Sequence, residues 1–167
     1  MTKPDKPLLV IAIGGNSLIK DAEHMSVLDQ YRNAGETAQH IVPLIKAGFR
    51  VLITHGNGPQ VGFILLRSEL ARDAIHPVPL ANCVADTQGS IGMQIAQSLQ
   101  NEFRHQGMEQ AVTAIVTQCV VDENDPSFGH PSKPIGPFMS EAEARQRAEK
   151  EGWAIVWRSC SAHCEDC

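Results

Sequence analysis

The sequence lacks any apolar run long enough to cross a bilayer. Its first apolar run, Leu8–Ile13, covers only six residues and ends in glycines, without a signal-peptide cleavage pattern of the usual form. We therefore expect neither a membrane span nor a signal peptide, and the default compartment is the cytoplasm.

The chain is also poor in positive charge. It has 14 Lys and Arg against 19 Asp and Glu, a formal net charge of −5, which argues against nucleic acid or an anionic membrane surface as a partner. With 43% apolar and 20% charged residues, the 167-residue chain is typical of a single soluble, globular domain that can bury a core.

Cysteine is too scarce and too unevenly spaced for a disulfide framework. Of five cysteines, Cys83 and Cys119 lie in apolar surroundings and are predicted to be buried thiols. The others crowd the last eight residues, where four side chains could bind zinc: Cys160, His163, Cys164 and Cys167. Structural zinc sites usually draw paired ligands from two separated elements, so we expect a frayed, reactive tail instead.

What the sequence does contain is an alternation of strands and helices. Continuous apolar runs at Leu8–Ile13, Phe49–Thr54 and Ala111–Thr117 predict strands buried on both faces. Helical spacing predicts helices over about 25–46 and about 59–74. A third helix is predicted where apolar residues recur at every fourth position: Ile91, Ile95, Leu99 and Phe103. This order indicates an α/β fold with an open, largely parallel sheet and right-handed crossovers.

Two glycine-containing turns follow the first two strands. They consist of Gly14, Gly15 and Asn16, and of Gly56, Asn57 and Gly58. One such turn is usually ordinary turn geometry, but in a parallel sheet both emerge at the same carboxyl edge, where ligands of open α/β folds bind. Their backbone N–H groups favour a small-anion site.

Other phosphate and metal motifs fit poorly. A dinucleotide site requires an acid at the end of the next strand, whereas Asp73 is expected in a helix, and no Gly-Lys-Ser/Thr of a P-loop follows either turn. The segment Asp122–Asp125 lacks calcium-loop spacing, and Asp125-Pro126 predicts a turn. His55 borders the second turn and could contact a ligand, although packing or a backbone hydrogen bond is the favoured role.

Lys133 is the single lysine between Lys46 and Lys150. It lies in Val121–Pro137, a stretch with four prolines and two glycines. Lys133 is either a solvated surface charge or a group that reaches over an anion and offsets the charge of a transferring phosphoryl group. A capping box at Ser140–Glu143 then predicts a short helix to about Glu151, and the sequence WAIVW after it predicts one more strand.

Five motifs together resemble carbamate kinase, a member of the amino-acid-kinase fold: IAIGGNSL, VLITHGNGPQVGFI, ADTQGSIGMQI, VTQCVVDENDPSF and PSKPIG. The resemblance runs from about Leu8 to Ile155. It implies an amino-terminal lobe over 1–155, with an open, largely parallel sheet sandwiched by helices and a protruding subdomain over about 119–155. A sibling kinase acting on another small acid is disfavoured by HGNGPQVG together with PSKPIG.

The resemblance implies reversible phosphoryl transfer between ATP and carbamate, often run from carbamoyl phosphate and ADP toward ATP, with Mg²⁺, in arginine or related catabolism. It implies that the two turns hold carbamate or carbamoyl phosphate: Gly14, Gly15, Asn16, Gly56, Asn57 and Gly58. By the same resemblance Lys133 is the catalytic lysine over the phosphoryl group, no residue is assigned to a metal, and the lobe forms a homodimer.

The sequence departs from the family after Ile155. Carbamate kinases continue into a second lobe that binds the nucleotide, whereas here VWRSCSAHCEDC follows. We therefore expect a divergent tail over 156–167, without the nucleotide lobe, as a truncation or shifted reading frame would produce. Two hypotheses follow: a carbamate-kinase-like phosphotransferase, or a catalytically inactive lobe that only binds carbamoyl phosphate or a similar small anion.

Overall fold

A computed structural model describes residues 6–21, 23–130, 133–135, 139–153 and 155–156. In these ranges the elements in chain order are β1 (Leu8–Ile13), α1 (Val27–Lys46), β2 (Arg50–His55), α2 (Gly58–Leu70), α3 (Leu80–His105) and α4 (Glu141–Glu151), with short 3₁₀ helices at Gly15–Leu18 and Pro126–Phe128. None of the helices in this part of the chain has the length and apolar character that a membrane span requires.

The two strands pair in parallel, with Leu8 opposite Arg50 and Ile13 opposite His55. Helix α1 forms the crossover between them, as parallel strands require. The expected α/β class with an open parallel sheet is confirmed.

One face of this sheet carries the core. Ile11, Ile13 and Val51 pack against α1 and α3, whereas Leu8, Val10 and Leu52 on the other face are each more than half exposed. The expectation that both faces of these strands are buried is therefore wrong for the residues described. The physical reason is that both long helices pack on the same side, so burial alternates along each strand.

Helices α1 and α3 form the core through apolar residues at helical spacing. On α1 these are Ala34, Ala38, Ile41 and Val42, and on α3 they are Ile91, Ile95, Leu99 and Phe103. The predicted repeat at every fourth residue of α3 is confirmed, because all four of its members are buried. Both helices are followed by a glycine in the left-handed region, Gly48 with φ 101° and Gly107 with φ 66°.

Helix α2 is shorter than expected. It begins at Gly58, with Pro59 in its first turn as predicted, but it ends at Leu70 and a turn follows. Asp73 lies in that turn and not in a helix.

The predicted strand Ala111–Thr117 is not part of the sheet. Instead, the side-chain amide of Gln88 binds both backbone groups of Thr117: the Thr117 N–H donates to Gln88 Oε1 at 2.7 Å, and Gln88 Nε2 donates to the Thr117 carbonyl at 3.3 Å. The segment also approaches α3 at Gly92, where a Cβ would lie 2.9 Å from the Cβ of Ala114. An apolar run predicts a strand only if another strand is available to pair with it. The predicted strand WAIVW likewise shows no strand at 153 or 155–156, and its remaining residues lie outside the described ones.

Local polar contacts confirm two of the sequence predictions. Ser140 Oγ accepts from the Glu143 N–H at 3.4 Å and the Glu143 carboxylate accepts from the Ser140 N–H at 3.0 Å, which is the predicted capping box of α4. Asp125 accepts from the Ser127 N–H at 2.8 Å and forms the predicted turn. A second capping box, at Ser26 and Asp29, begins α1.

Of the two cysteines predicted to be buried, one is buried and the other is exposed. Cys83 is buried as expected, and burial, followed by the nearby Asp86 charge, raises the pKa of its thiol. Cys119 is exposed, so its predicted burial is wrong; it follows the segment that lies outside the sheet. The possible zinc ligands of the tail lie outside the described residues: Cys160, His163, Cys164 and Cys167.

The capping box of α1 predicts a loss of stability on Ser26→Ala. The Asp29 N–H donates to Ser26 Oγ at 3.2 Å, and removing this hydroxyl leaves the N–H without its acceptor. We expect the free energy of unfolding to fall by about 1 kcal/mol in urea titrations. Ser17→Ala is the matched control, because this serine is exposed and its hydroxyl makes no hydrogen bond within the described part of the chain, and an equal loss in both variants would contradict the role of the cap.

The same boxes predict acid sensitivity. The pKa of Asp29 lies below its usual range, chiefly because the Ser26 hydroxyl donates a hydrogen bond to its carboxylate. The pKa of Glu143 is lowered in the same way, chiefly by the Ser140 hydroxyl. A carboxyl whose pKa is lowered on folding stabilises the fold above its unfolded pKa, about 4, and that stabilisation is lost as the pH falls through the lower folded value. In urea titrations at a series of pH values, the unaltered chain should lose stability on acidification more steeply than a Ser26→Ala/Ser140→Ala variant. Equal slopes would contradict this account.

Candidate anion-binding site

The two glycine turns lie at the same edge of the sheet. Because Ile13 pairs with His55 at the carboxyl ends of β1 and β2, the residues that follow them emerge side by side. The Gly56 N–H donates to the Ile13 carbonyl at 2.8 Å and extends the pairing by one step into the second turn. The predicted juxtaposition of the two turns is therefore present in the structure.

The backbones of the two turns approach closely at Gly15 and Gly56. A Cβ on Gly15 would lie 2.9 Å from the Gly58 nitrogen and 3.2 Å from the Asn57 nitrogen, and one on Gly56 would lie 3.1 Å from the Gly15 nitrogen. Distances of this kind to backbone atoms cannot be relieved by rotating a side chain. A Cβ at position 15 therefore forces the two backbones apart, and a Cβ at position 56 requires them to separate by a few tenths of an ångström.

Backbone N–H groups gather at this contact. The Ser17 N–H donates to the Gly14 carbonyl at 2.9 Å, and the Val61 N–H donates to the Asn57 carbonyl at 3.0 Å. Within the described part of the chain, the amide nitrogens of Gly15, Asn57 and Gly58 make no hydrogen bond. Gly58 is also the first residue of α2, where the helix dipole is positive. The arrangement suits a small anion.

A buried threonine anchors the second turn to α3. Asn57 Nδ2 donates to Thr87 Oγ1 at 2.8 Å, and Thr87 Oγ1 donates to the Val84 carbonyl at 2.6 Å. Thr87 is fully buried. The sequence reasoning did not assign a role to Thr87, although this residue lies within the motif ADTQGSIGMQI.

Two glutamines anchor the first turn. Gln60 Nε2 donates to the Gly15 carbonyl at 3.2 Å and to Gln30 Oε1 at 3.3 Å, and Gln30 Nε2 donates to the Met25 carbonyl at 3.2 Å. Both glutamine side chains are buried. Sequence reasoning missed this pair; the available signal was a glutamine on the buried face of each helix.

The structure places the remaining predicted residues as follows. His55 Nδ1 lies 3.3 Å from the Gly56 carbonyl oxygen, which agrees with the favoured backbone role. Asn16 belongs to the 3₁₀ helix after β1, but its side chain lies outside the described part. Lys133 is exposed, and its flanks at 131–132 and 136–138 lie outside the described residues. Its position over the turns stays a prediction.

No metal centre is found among the described residues, where no three His, Cys, Asp or Glu side chains come together. A cavity of about 250 Å³ lies beside the start of α1, lined by residues that include Lys20, Asp29, Arg32 and Glu36. Lys20 pairs with Glu36 at 2.7 Å and Arg32 with Asp29 at 2.9 Å, so these charges neutralise one another. We assign no ligand to this cavity.

The contact between the turns predicts that Gly15→Ala is destabilising. The added Cβ must push the turn that follows β1 away from the start of α2. We expect a loss of about 1–3 kcal/mol in the free energy of unfolding. Gly58→Ala is the matched control, because a Cβ there meets nothing within 4 Å, and its effect should stay within about 0.5 kcal/mol. Thermal and urea unfolding of both variants check this, and equal stability would contradict the close contact.

Comparison with known proteins shows which proteins this chain is similar to. No protein-family model matches the chain. It is 48% identical over 155 residues to the carbamate kinase-like protein YahI of Escherichia coli K12, covering 90% of this chain and 48% of that protein. It is 43% identical over 151 residues to carbamate kinase of Thermococcus kodakarensis, covering 89% of this chain and 48% of the relative.

Comparison with solved structures also finds carbamate kinases. Carbamate kinase from Giardia lamblia bound to AMP-PNP matches with a TM-score of 0.79 and 34% identity, over 92% of this chain and 49% of that one. The chain thus spans about half the length of the proteins it matches. Sequence and structure together make this chain a homologue of the carbamate kinases over about half of their length.

Proposed function

We propose that this chain carries the carbamate and carbamoyl phosphate site of a kinase that transfers a phosphoryl group reversibly between ATP and carbamate. The observation that carries the proposal is the contact between the two glycine turns. Around it lie the amide nitrogens of Gly15, Asn57 and Gly58, which make no hydrogen bond to any described residue. The homology to carbamate kinases supports the identity of the anion.

The chemistry of this site is electrostatic. Carbamate and carbamoyl phosphate are small anions, and backbone N–H groups at a helix N-terminus bind such groups without a change in protonation. The proposed binding residues are Gly14, Gly15, Asn16, Gly56, Asn57 and Gly58. Because the backbone donors are fixed by the sheet and by α2, they are already oriented when the anion arrives.

Lys133 is the proposed catalytic residue. An ammonium group near the transferring phosphoryl group would offset the negative charge on its oxygens. Support comes from the resemblance of PSKPIG to the family motif and from the exposure of the Lys133 side chain, which leaves it open to a ligand.

ATP or ADP with Mg²⁺ is the proposed second substrate. Bound Mg²⁺ neutralises phosphate charge during such transfers. The described residues contain no cluster of ligands for a metal ion, so we assign no residue of this chain to Mg²⁺ and derive no step through it.

The wider assignments rest on the family resemblance. We propose that residues 1–155 form a carbamate-kinase-like amino-terminal lobe with a protruding subdomain over about 119–155, and that 156–167 form a divergent tail. We also propose a homodimer formed through this lobe and a cytoplasmic location.

The proposal predicts that the purified chain forms ATP from carbamoyl phosphate, ADP and Mg²⁺. Lys133→Ala should lower the rate by about 100-fold or more, because it removes the charge at the phosphoryl group. Lys150→Ala is the matched control, since this exposed lysine lies on α4, away from the turns in sequence, and it should leave the rate unchanged. Luciferase detection of ATP provides the measurement.

Titration calorimetry with carbamoyl phosphate separates the two hypotheses. Binding with Lys133-dependent turnover supports the kinase. Binding without turnover above the Lys133→Ala background supports the alternative, a lobe that only binds the anion. Absence of both contradicts the proposed site.

A further inference from the structure

We infer that Gln60 is a positioning residue that fixes the first glycine turn against α2 and so sets the spacing of the backbone donors for the anion. This inference rests on the proposed function. It concerns a side chain that holds the site in shape, because Gln60 reaches the turn through the Gly15 carbonyl and not through the anion itself.

The geometry places Gln60 between the two halves of the site. Gln60 belongs to the first turn of α2, two residues after Gly58, and its Nε2 donates to the Gly15 carbonyl at 3.2 Å. The same side chain therefore spans the contact at which the Gly15 and Gly58 backbones meet. A shift of its amide would change the distance between donors that belong to different turns.

A second bond fixes the direction of that amide. Gln60 Nε2 also donates to Gln30 Oε1 at 3.3 Å, and Gln30 in turn donates to the Met25 carbonyl at 3.2 Å. Gln60 thus links β1's turn, α2 and α1 through one nitrogen. Its side chain is only 6% exposed, so water does not compete for these bonds.

The other end of the amide, Oε1, carries an energetic cost that Gln94 Oε1 shares. Gln60 Oε1 is buried and has no hydrogen-bond partner among the described residues, although it lies 3.2 Å from the position of a Gly15 Cβ. A buried acceptor without a partner is unfavourable for folding. Because Gln94 shares this cost, the bond from Gln60 Nε2 to the Gly15 carbonyl, and not the unpartnered oxygen, carries the inference.

The test compares Gln60→Met with Gln94→Met. Gln94 is a matched control: it is 4% exposed, its Oε1 also lacks a partner in the described region, and its side chain makes no hydrogen bond to either turn there. Carbamoyl phosphate binding is measured by titration calorimetry on the full chain, with inorganic phosphate as a second probe, and thermal unfolding is measured in parallel.

We expect Gln60→Met to weaken carbamoyl phosphate binding by about 10- to 100-fold, because misplaced donors lose their alignment. Gln94→Met should change binding by less than about twofold while shifting the unfolding temperature by a similar amount to Gln60→Met. Gln30→Met should weaken binding less than Gln60→Met, and the double variant should be no weaker than Gln60→Met alone, since both act through one network.

The outcomes separate the two levels of inference. If the unaltered chain binds and Gln60→Met binds equally well, the positioning role is overturned and the proposed function stands. If the unaltered chain binds neither probe, the proposed function is overturned and the role of Gln60 with it. If Gln60→Met does not fold, carbamoyl phosphate binding is measured on Gln30→Met instead. Unchanged binding in that variant overturns the positioning role of the Gln60–Gln30 pair.

Discussion

The parallel register of β1 and β2 is the constraint on which the anion-binding site depends. It brings the ends of the two strands level, so that Gly15 meets the backbone of Asn57 and Gly58 at distances that no side chain would permit. A slip of one residue would move both the apolar face of the strand and the turn that follows it. The core and the site therefore share one condition: the strands must pair in this register.

Features that depend on neighbours in sequence could be predicted from the sequence. The buried stripe of α3, the capping box at Ser140 and the turn at Asp125 each follow from spacing within a few residues. The meeting of the two glycine turns could also be predicted, because strand order in a parallel sheet places successive turns at one edge. The first three predictions required only local spacing, and the fourth required only that the first two strands pair in parallel.

Features that depend on tertiary partners could not be predicted in this way. The apolar runs at Leu8–Ile13 and Ala111–Thr117 look alike in sequence, yet one pairs with a strand and the other is held by a glutamine side chain. The roles of Thr87 and Gln60 were missed for the same reason, because hydrophobic periodicity identifies apolar contacts and gives no information on buried polar pairs.

Helix α3 carries two anchors at adjacent residues. Thr87 holds Asn57 in the second glycine turn, and Gln88 holds Thr117, from which the chain continues toward Lys133. A rotation of this single turn of α3 would therefore move both Asn57 and Thr117, because each is hydrogen-bonded to it. The second glycine turn and Thr117, which precedes Lys133 by 16 residues in the chain, are therefore attached to one turn of the same helix before any substrate is present.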